Sequence, residues 1–126
     1  RPDMHLRLRR QLTNGRHFFL QLSCRHRLSL PVNNAVFIYI DLDLVEFPLI
    51  LRKRKTGDTL YPTGMNGSKK LHKFYKDQKF STLMKNEQWL LCQADGSIIW
   101  VVGVRQDRRW MIQQTTKQIL CVQLNS

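Results

Sequence analysis

Apolar residues fall in short runs along most of this chain, and only one stretch shows helical spacing. His17 to Leu22 (HFFLQL) and Ala35 to Leu42 (AVFIYIDL) are dense in aromatic and β-branched residues, the composition of strands. Glu46 to Arg52 (EFPLILR) is a further apolar run, and Pro48 places it at a strand start or a sheet edge. Trp89 to Gln93 and Ser97 to Val102 flank Ala94-Asp95-Gly96, a hairpin signal because the turn needs positive φ. Arg109 to Gln113 and Gln118 to Leu124 complete the expected strands, with Gln106-Asp107 as a turn between elements. Gly57-Asp58, Pro62, Gly64 and Gly67 punctuate a long central loop. The pattern predicts an α+β domain, β-rich and layered, with a helix on one face of a sheet. The first fifteen residues are basic, weakly patterned and end in the turn signal Asn14-Gly15. They are expected to be a linker or a frayed first element.

The helical stretch runs from about Lys69 to Gln78, with Ser68 as its expected N-cap; Ser81 is expected to cap a second short helix ending near Asn86. At about 100° per residue, Lys69, Lys73 and Lys76 share one face of the first helix, while Leu71, Phe74 and Tyr75 share the opposite one. Lys70 and His72 flank the basic face, and Asp77 is the one acidic residue near it. This placement puts Lys69 and Lys70 in the first turn, where the helix dipole disfavours cations by about 0.3–1 kcal/mol each. An anion bound there, with the glycine-containing approach of Gly64 and Gly67, would offset that cost.

Charge strengthens the anion reading. Lys and Arg number 21 against 9 Asp and Glu, a formal net charge of +12. Nine of these cations lie between Arg52 and Lys79, with only Asp58 and Asp77 among them. If Arg52 continues a strand, Arg52 and Arg54 share a face and can grip phosphates. Such clustering points to a polyanion, nucleic acid before an anionic membrane surface. Cys24, Cys92 and Cys121 are odd in number and widely spaced, the usage of reduced, mostly buried thiols in a cytoplasmic protein. The four histidines show no ligand spacing, so no metal is assigned. No run of about 18 apolar residues is present to span a membrane, and no signal-peptide pattern opens the chain. The start at Arg1 suggests a fragment of a longer protein or a processed one.

The stretch Leu51 to Phe80 resembles the carboxy-terminal domain of the bacterial tRNA(Ile)-lysidine synthetase family. The residues that carry the resemblance are Arg52 and Arg54, Gly57-Asp58, Pro62, Gly64-Met65, Gly67, Lys69-Lys70-Leu71, Phe74 and Lys79-Phe80. Downstream, Leu90-Leu91-Cys92 and Ile99 to Arg105 are similar to it as well, so that it extends over about Ala35 to Leu124; residues 1–34 lie outside the resemblance and are expected to be a linker or the end of a preceding domain, and residues 35–126 the carboxy-terminal tRNA-binding domain. Lys73 and Lys76 stand where many relatives carry acidic or small residues. The resemblance implies a layered fold like a domain of the phenylalanyl-tRNA synthetase β-chain. It also implies a parent ligase that uses ATP, with Mg, to attach lysine to the wobble cytidine of CAU-anticodon tRNA(Ile). The family's ATP loop, Ser-Gly-Gly-x-Asp-Ser, does not occur in this sequence, so the isolated chain is expected to hold no cofactor and to be inactive. The implied partners are that tRNA, contacted at its acceptor stem, and a catalytic amino-terminal domain; a homodimer is compatible with the same resemblance, a membrane is not. The expected tRNA contacts are Arg52, Arg54, Lys69, Lys70, Lys73, Lys76, Lys79 and Arg105. Trp89, Trp100 and Trp110 could stack on bases, but their apolar runs favour the core.

Two other classes compete. One is an enzyme in its own right, with Asp41, Asp43 and Glu46 as a carboxylate cluster for metal-assisted hydrolysis; alternation along a strand would put both aspartates on one face, which a solvated strand end does as well. The other is a stand-alone module without enzyme activity that binds nucleic acid or an anionic surface. On lipid it would need bulky apolar residues exposed beside the lysines, whereas the apolar helix face is required by the core.

Overall fold

The computed structural model describes residues 5–11, 15–25 and 36–125. They form two compact units, one from the described residues up to Val45 with those from Trp110 onward, the other Glu46–Arg109.

The first unit is a four-stranded antiparallel sheet of β1 (His5–Gln11), β2 (His17–Arg25), β3 (Phe37–Asp41) and β10 (Ile119–Asn125), in the order β1-β2-β10-β3. Alternation sets its buried face: Phe18, Leu20 and Leu22 from β2, and Ile38 and Ile40 from β3. The central strand β10 registers Leu120 opposite Ile40 and Val122 opposite both Ile38 and Leu22. A 3-10 turn at Leu42–Leu44 ends β3, capped by the Asp41 carboxylate, which accepts from the Asp43 amide (3.1 Å) and from Thr116 Oγ1 (2.9 Å). Asp43 thus leaves the strand, so Asp41 and Asp43 do not share a strand face. β2 covers the strand expected at His17 to Leu22, whereas β1 is a strand within the first fifteen residues, expected as a linker or a frayed first element. The reason is visible in β1, whose Leu6 and Leu8 alternate with Arg7 and Arg9: the period of a strand was masked by its basic content. Asn14 and the segment 26–35 lie outside the described residues.

The second unit carries the sheet β4 (Ile50–Arg52), β7 (Leu90–Cys92), β8 (Ile98–Val101) and β9 (Arg105–Gln106), in that order and antiparallel. Asp95-Gly96 makes the expected β7–β8 hairpin, with Gly96 at φ 91° and the Ser97 amide donating to Asp95 Oδ1 (2.9 Å). A two-stranded ribbon, β5 (Thr59–Leu60) with β6 (Lys69–Lys70), leads into α1 (Leu71–Asp77) and α2 (Thr82–Glu87). Leu71, Phe74 and Tyr75 of α1 pack with Leu60, Leu90, Cys92, Ile98 and Val101 as one core. The apolar face of the helix wheel is therefore the buried face.

Helix α1 starts two residues later than the sequence suggests. Lys69 and Lys70 are held extended by pairing with Leu60 and Thr59, so neither occupies a helical turn, and the dipole argument does not apply to them. Ser68 is not the cap; Lys70 takes the cap position without a side-chain cap bond. The Leu71 amide instead donates to the Asp58 carbonyl (2.9 Å). At the other end Lys79 adopts φ 59°, the left-handed residue that closes a helix, and Phe80 N donates to Tyr75 O (2.9 Å). Ser81 caps α2 as expected, accepting from the Met84 amide (3.1 Å). Arg109 to Gln113 is not a strand. Asp107 is fully buried and its carboxylate takes the Arg109 amide (2.9 Å), which turns the chain into a 3-10 segment at Arg108–Trp110.

The β4–β5 connection is fixed by one ion pair. Arg52 donates from both terminal nitrogens to Asp58 (2.8 and 3.0 Å), and also to the carbonyls of Lys53 and Gly96. The Lys55 amide donates to the same carboxylate (2.7 Å). Burial pushes the Asp58 carboxyl up, but the Arg52 hydrogen bonds, the Lys55 amide and both neighbouring charges outweigh it and hold it below the usual range.

Two outcomes follow from this packing. Phe74→Ala removes a ring that is 1% exposed, and thermal and urea denaturation are expected to show a loss of about 3–5 kcal/mol. An unchanged midpoint would place that ring outside the core. A carboxyl with a depressed pKa stabilises the fold above its unfolded-state value and loses that contribution as pH falls through the folded-state value. Asp58→Asn is therefore expected to cost about 1.5–3 kcal/mol at neutral pH. The gap to the wild type should narrow as pH drops below about 4. A pH-independent gap in urea titrations would contradict the ion-pair account.

Candidate nucleic-acid interface

Eight cations were singled out by sequence, and the structure separates them by what they touch. Lys69, Lys70 and Lys73 line one shallow groove of about 300 Å³ together with Thr59 and Ser68. The ribbon and the helix build it jointly. Extended pairing of β6 sets Lys69 and Lys70 beside Thr59, and the first turn of α1 brings Lys73 round to them. Lys70 and Lys73 are exposed, with Lys70 Nζ only 3.5 Å from Thr59 Oγ1. Lys69 is half-buried and forms an ion pair with Asp77, whose carboxyl that contact draws below its usual range. Asp77, adjacent to the basic face on the helix wheel, thus spends its charge on the lysine nearest the ribbon.

Lys76 is exposed on α1, and Lys79 is exposed in the left-handed turn after it. Arg54 lies past the end of β4, so it does not share a strand face with Arg52; it is exposed and gives one N–H to Asn86 Oδ1 (2.9 Å). Arg52 turns both terminal nitrogens to Asp58 and its neighbours, and its side chain is only 15% exposed. Arg105 donates to the Thr63 carbonyl (3.2 Å) and stands 5.6 Å over the Phe74 ring. These two arginines brace loops in this structure.

Sequence reasoning missed a second cationic feature. Arg109 stacks 4.0 Å over the Tyr61 ring and Arg108 lies 5.3 Å from it, with Arg108 also donating to the Gly67 carbonyl (2.7 Å). Arg109 and the Tyr61 amide converge on the buried Asp107 carboxylate, so a charge that reads as a turn residue is the anchor of this pair. The signal available was Arg108-Arg109 beside a tryptophan, which by itself resembles any strand with a basic start.

Other chemistry finds little support. Cys92 is fully buried, and burial pushes its thiol up to about 11, which removes it as a nucleophile. Cys92 is in no disulfide. Among the described residues no group of His, Cys, Asp or Glu could hold a metal ion, and the Asp41 carboxylate serves as a cap. Trp100 and Trp110 are buried, and the Trp110 indole donates to Leu44 O (3.1 Å); Trp89 is half-buried under the Lys53 ammonium, 4.1 Å from its ring. No helix among the described residues is long and apolar enough to cross a membrane.

The family model described as "TilS substrate C-terminal domain" matches residues 49–123. The "tRNA(Ile)-lysidine synthase" of Parabacteroides distasonis is 47% identical over 89 residues, which is 71% of this chain and 20% of the relative. That of Bacteroides thetaiotaomicron is 40% identical over 80 residues (64% and 18%), and that of Bacillus subtilis 39% over 88 residues (68% and 18%). The chain spans about a fifth of the length of the curated relatives it matches. Among solved structures, a "Crystal structure of TILS C-terminal domain" superposes with a TM-score of 0.74 at 21% identity, over 98% of both chains, and so shares the α+β fold. The family match over the greater part of the sequence settles the assignment: this chain belongs to the TilS substrate C-terminal domain family.

Proposed function

We propose that this domain binds tRNA through backbone phosphates, as the carboxy-terminal part of an enzyme that attaches lysine to the wobble cytidine of CAU-anticodon tRNA(Ile). The observation that carries the reading is the groove in which Lys69, Lys70 and Lys73 meet the Thr59 and Ser68 hydroxyls. Ammonium groups beside hydroxyl donors suit phosphate oxygens, and two of the three lysines are exposed. Lys76, Lys79 and Arg54 add exposed positive charge in the same unit; Arg52 and Arg105 hold its loops. The acceptor stem fits such a surface, because A-form RNA hides its base edges in a deep major groove and is recognised by phosphate geometry and 2′-hydroxyls.

In this reading the lysine transfer, with its ATP, Mg and lysine, belongs to an amino-terminal domain, and the isolated chain catalyses nothing. The enzyme works in the cytoplasm, where its tRNA substrate is. The relatives' printed name, their share of this sequence and the net charge of +12 support the assignment.

Lys70→Ala with Lys73→Ala provides the test. Binding of an acceptor-stem hairpin to the domain is expected to weaken by about 1–3 kcal/mol per lost charge-assisted contact. By analogy with duplex DNA, the slope of log affinity against log salt should fall by roughly 0.9 for each of the two contacts. Both side chains are exposed, so the melting temperature should hold. Unchanged affinity and an unchanged salt slope would remove the groove from the interface.

A further inference from the structure

A second cleft, of about 390 Å³, lies between the β4–β5 turn and α1. Arg54, Lys55 and Gly57 line one side of it, His72 and Tyr75 the other. Its one carboxylate neighbour, Asp58, is engaged on both oxygens by Arg52 and the Lys55 amide, so little of its acceptor capacity faces a ligand. Arg54 keeps donors beyond the one given to Asn86, because a guanidinium carries five N–H groups. Among the described residues, the amides of Thr56 and Gly57 donate to no protein acceptor.

The telling atom is the Tyr75 hydroxyl. Tyr75 is fully buried, and its hydroxyl has no hydrogen-bond partner. The ring cannot turn away, because it stacks on Phe80 (centroids 4.8 Å apart, planes 13° from parallel) and tilts against Phe74. Tyr75 lines the cleft together with Arg54 and Asp58, and the charges of both, with that of Arg52, act on its hydroxyl. Burial drives its pKa up to about 12, so at neutral pH it is a proton donor with nothing to donate to. A buried unpaired hydroxyl is destabilising, and a core that needed only bulk would be served by phenylalanine.

We propose that this cleft takes the 5′-terminal phosphate of the bound RNA, with Tyr75, Arg54, Lys55 and His72 as its donors. This rests on the tRNA-binding reading and adds an end-specific contact to it. A recessed donor is out of reach of an internal phosphodiester, which lies on a convex stem with ribose on either side. A terminal phosphate projects from the chain, brings three oxygens free of a second ester link, and carries more charge than a diester. Arg54 and Lys55 are long and exposed, so the cleft can widen by side-chain rotation alone.

The experiment measures affinity for a short acceptor-stem hairpin carrying either a 5′-monophosphate or a 5′-hydroxyl, with the wild-type domain, Tyr75→Phe and Arg54→Gln. The wild type is expected to prefer the phosphorylated hairpin by roughly tenfold. Tyr75→Phe should lose most of that preference while binding the hydroxyl-ended hairpin as the wild type does, whereas Arg54→Gln, which also removes a cation of the basic surface, should lose the preference and weaken binding to both hairpins. The melting temperature of Tyr75→Phe should be unchanged or raised, because the hydroxyl it removes has no partner. Equal wild-type affinity for the two hairpins would overturn the terminal-phosphate site and leave lysine-dependent stem binding standing. Absence of binding to either hairpin would overturn both readings. A marked fall in the melting temperature of Tyr75→Phe would show the hydroxyl to be satisfied within the fold, and would also overturn the site.

Discussion

The Arg52–Asp58 pair is the constraint on which the geometry of the second unit depends. One guanidinium joins the end of β4, the turn at 55–58 and the tip of the β7–β8 hairpin through Gly96. The same Asp58 residue then receives the first amide of α1 on its backbone carbonyl. A helix of seven residues is too short to persist alone and begins here without a side-chain cap. Its position is set by that amide contact and by burial of Leu71, Phe74 and Tyr75 against the sheet. Everything basic on α1 inherits its placement from this arrangement.

Cations in this unit accordingly do two kinds of work. Arg52, Arg105 and Arg109 are turned to carboxylates, carbonyls and rings, and they fix loops. Lys70, Lys73, Lys76 and Arg54 stand at the surface and give it a positive field. The division follows side-chain chemistry. A planar guanidinium with several donors can satisfy several acceptors at once, whereas a lysine ammonium is strongly hydrated and remains at the water boundary. A lysine-lined groove beside hydroxyl groups suits an irregular row of phosphates, for which point charges on flexible stems are adequate.

Much of this was legible in the sequence. The Asp95-Gly96 hairpin, the Ser81 cap and the apolar face of α1 follow from local rules, and local contacts decide them. The family resemblance at Leu51 to Phe80 lies within the segment, residues 49–123, that the family model matches. What could not be read depended on distant partners. Lys69 and Lys70 have good helix propensity, yet pairing with Thr59 and Leu60 across nine or more residues holds them extended. Asp107 reads as a turn residue because nothing near it in sequence announces that Tyr61 will donate to it. Leu6 and Leu8 in β1 are too few among arginines to signal a strand until β2 is seen beside them. Arg52 and Arg54 look equivalent two residues apart, but only Arg52 meets Asp58.

The central claim is that the lysine groove at the ribbon–helix junction is the surface that meets RNA. The most direct measurement is a titration of the isotopically labelled domain with an acceptor-stem hairpin, followed by amide chemical-shift changes residue by residue. The account predicts that the largest changes fall on Thr59 and on Ser68 to Lys73, with a further group at Thr56 and Gly57, while β3 and β10 stay still. Largest changes on β3 and β10, with the ribbon and α1 unmoved, would contradict it.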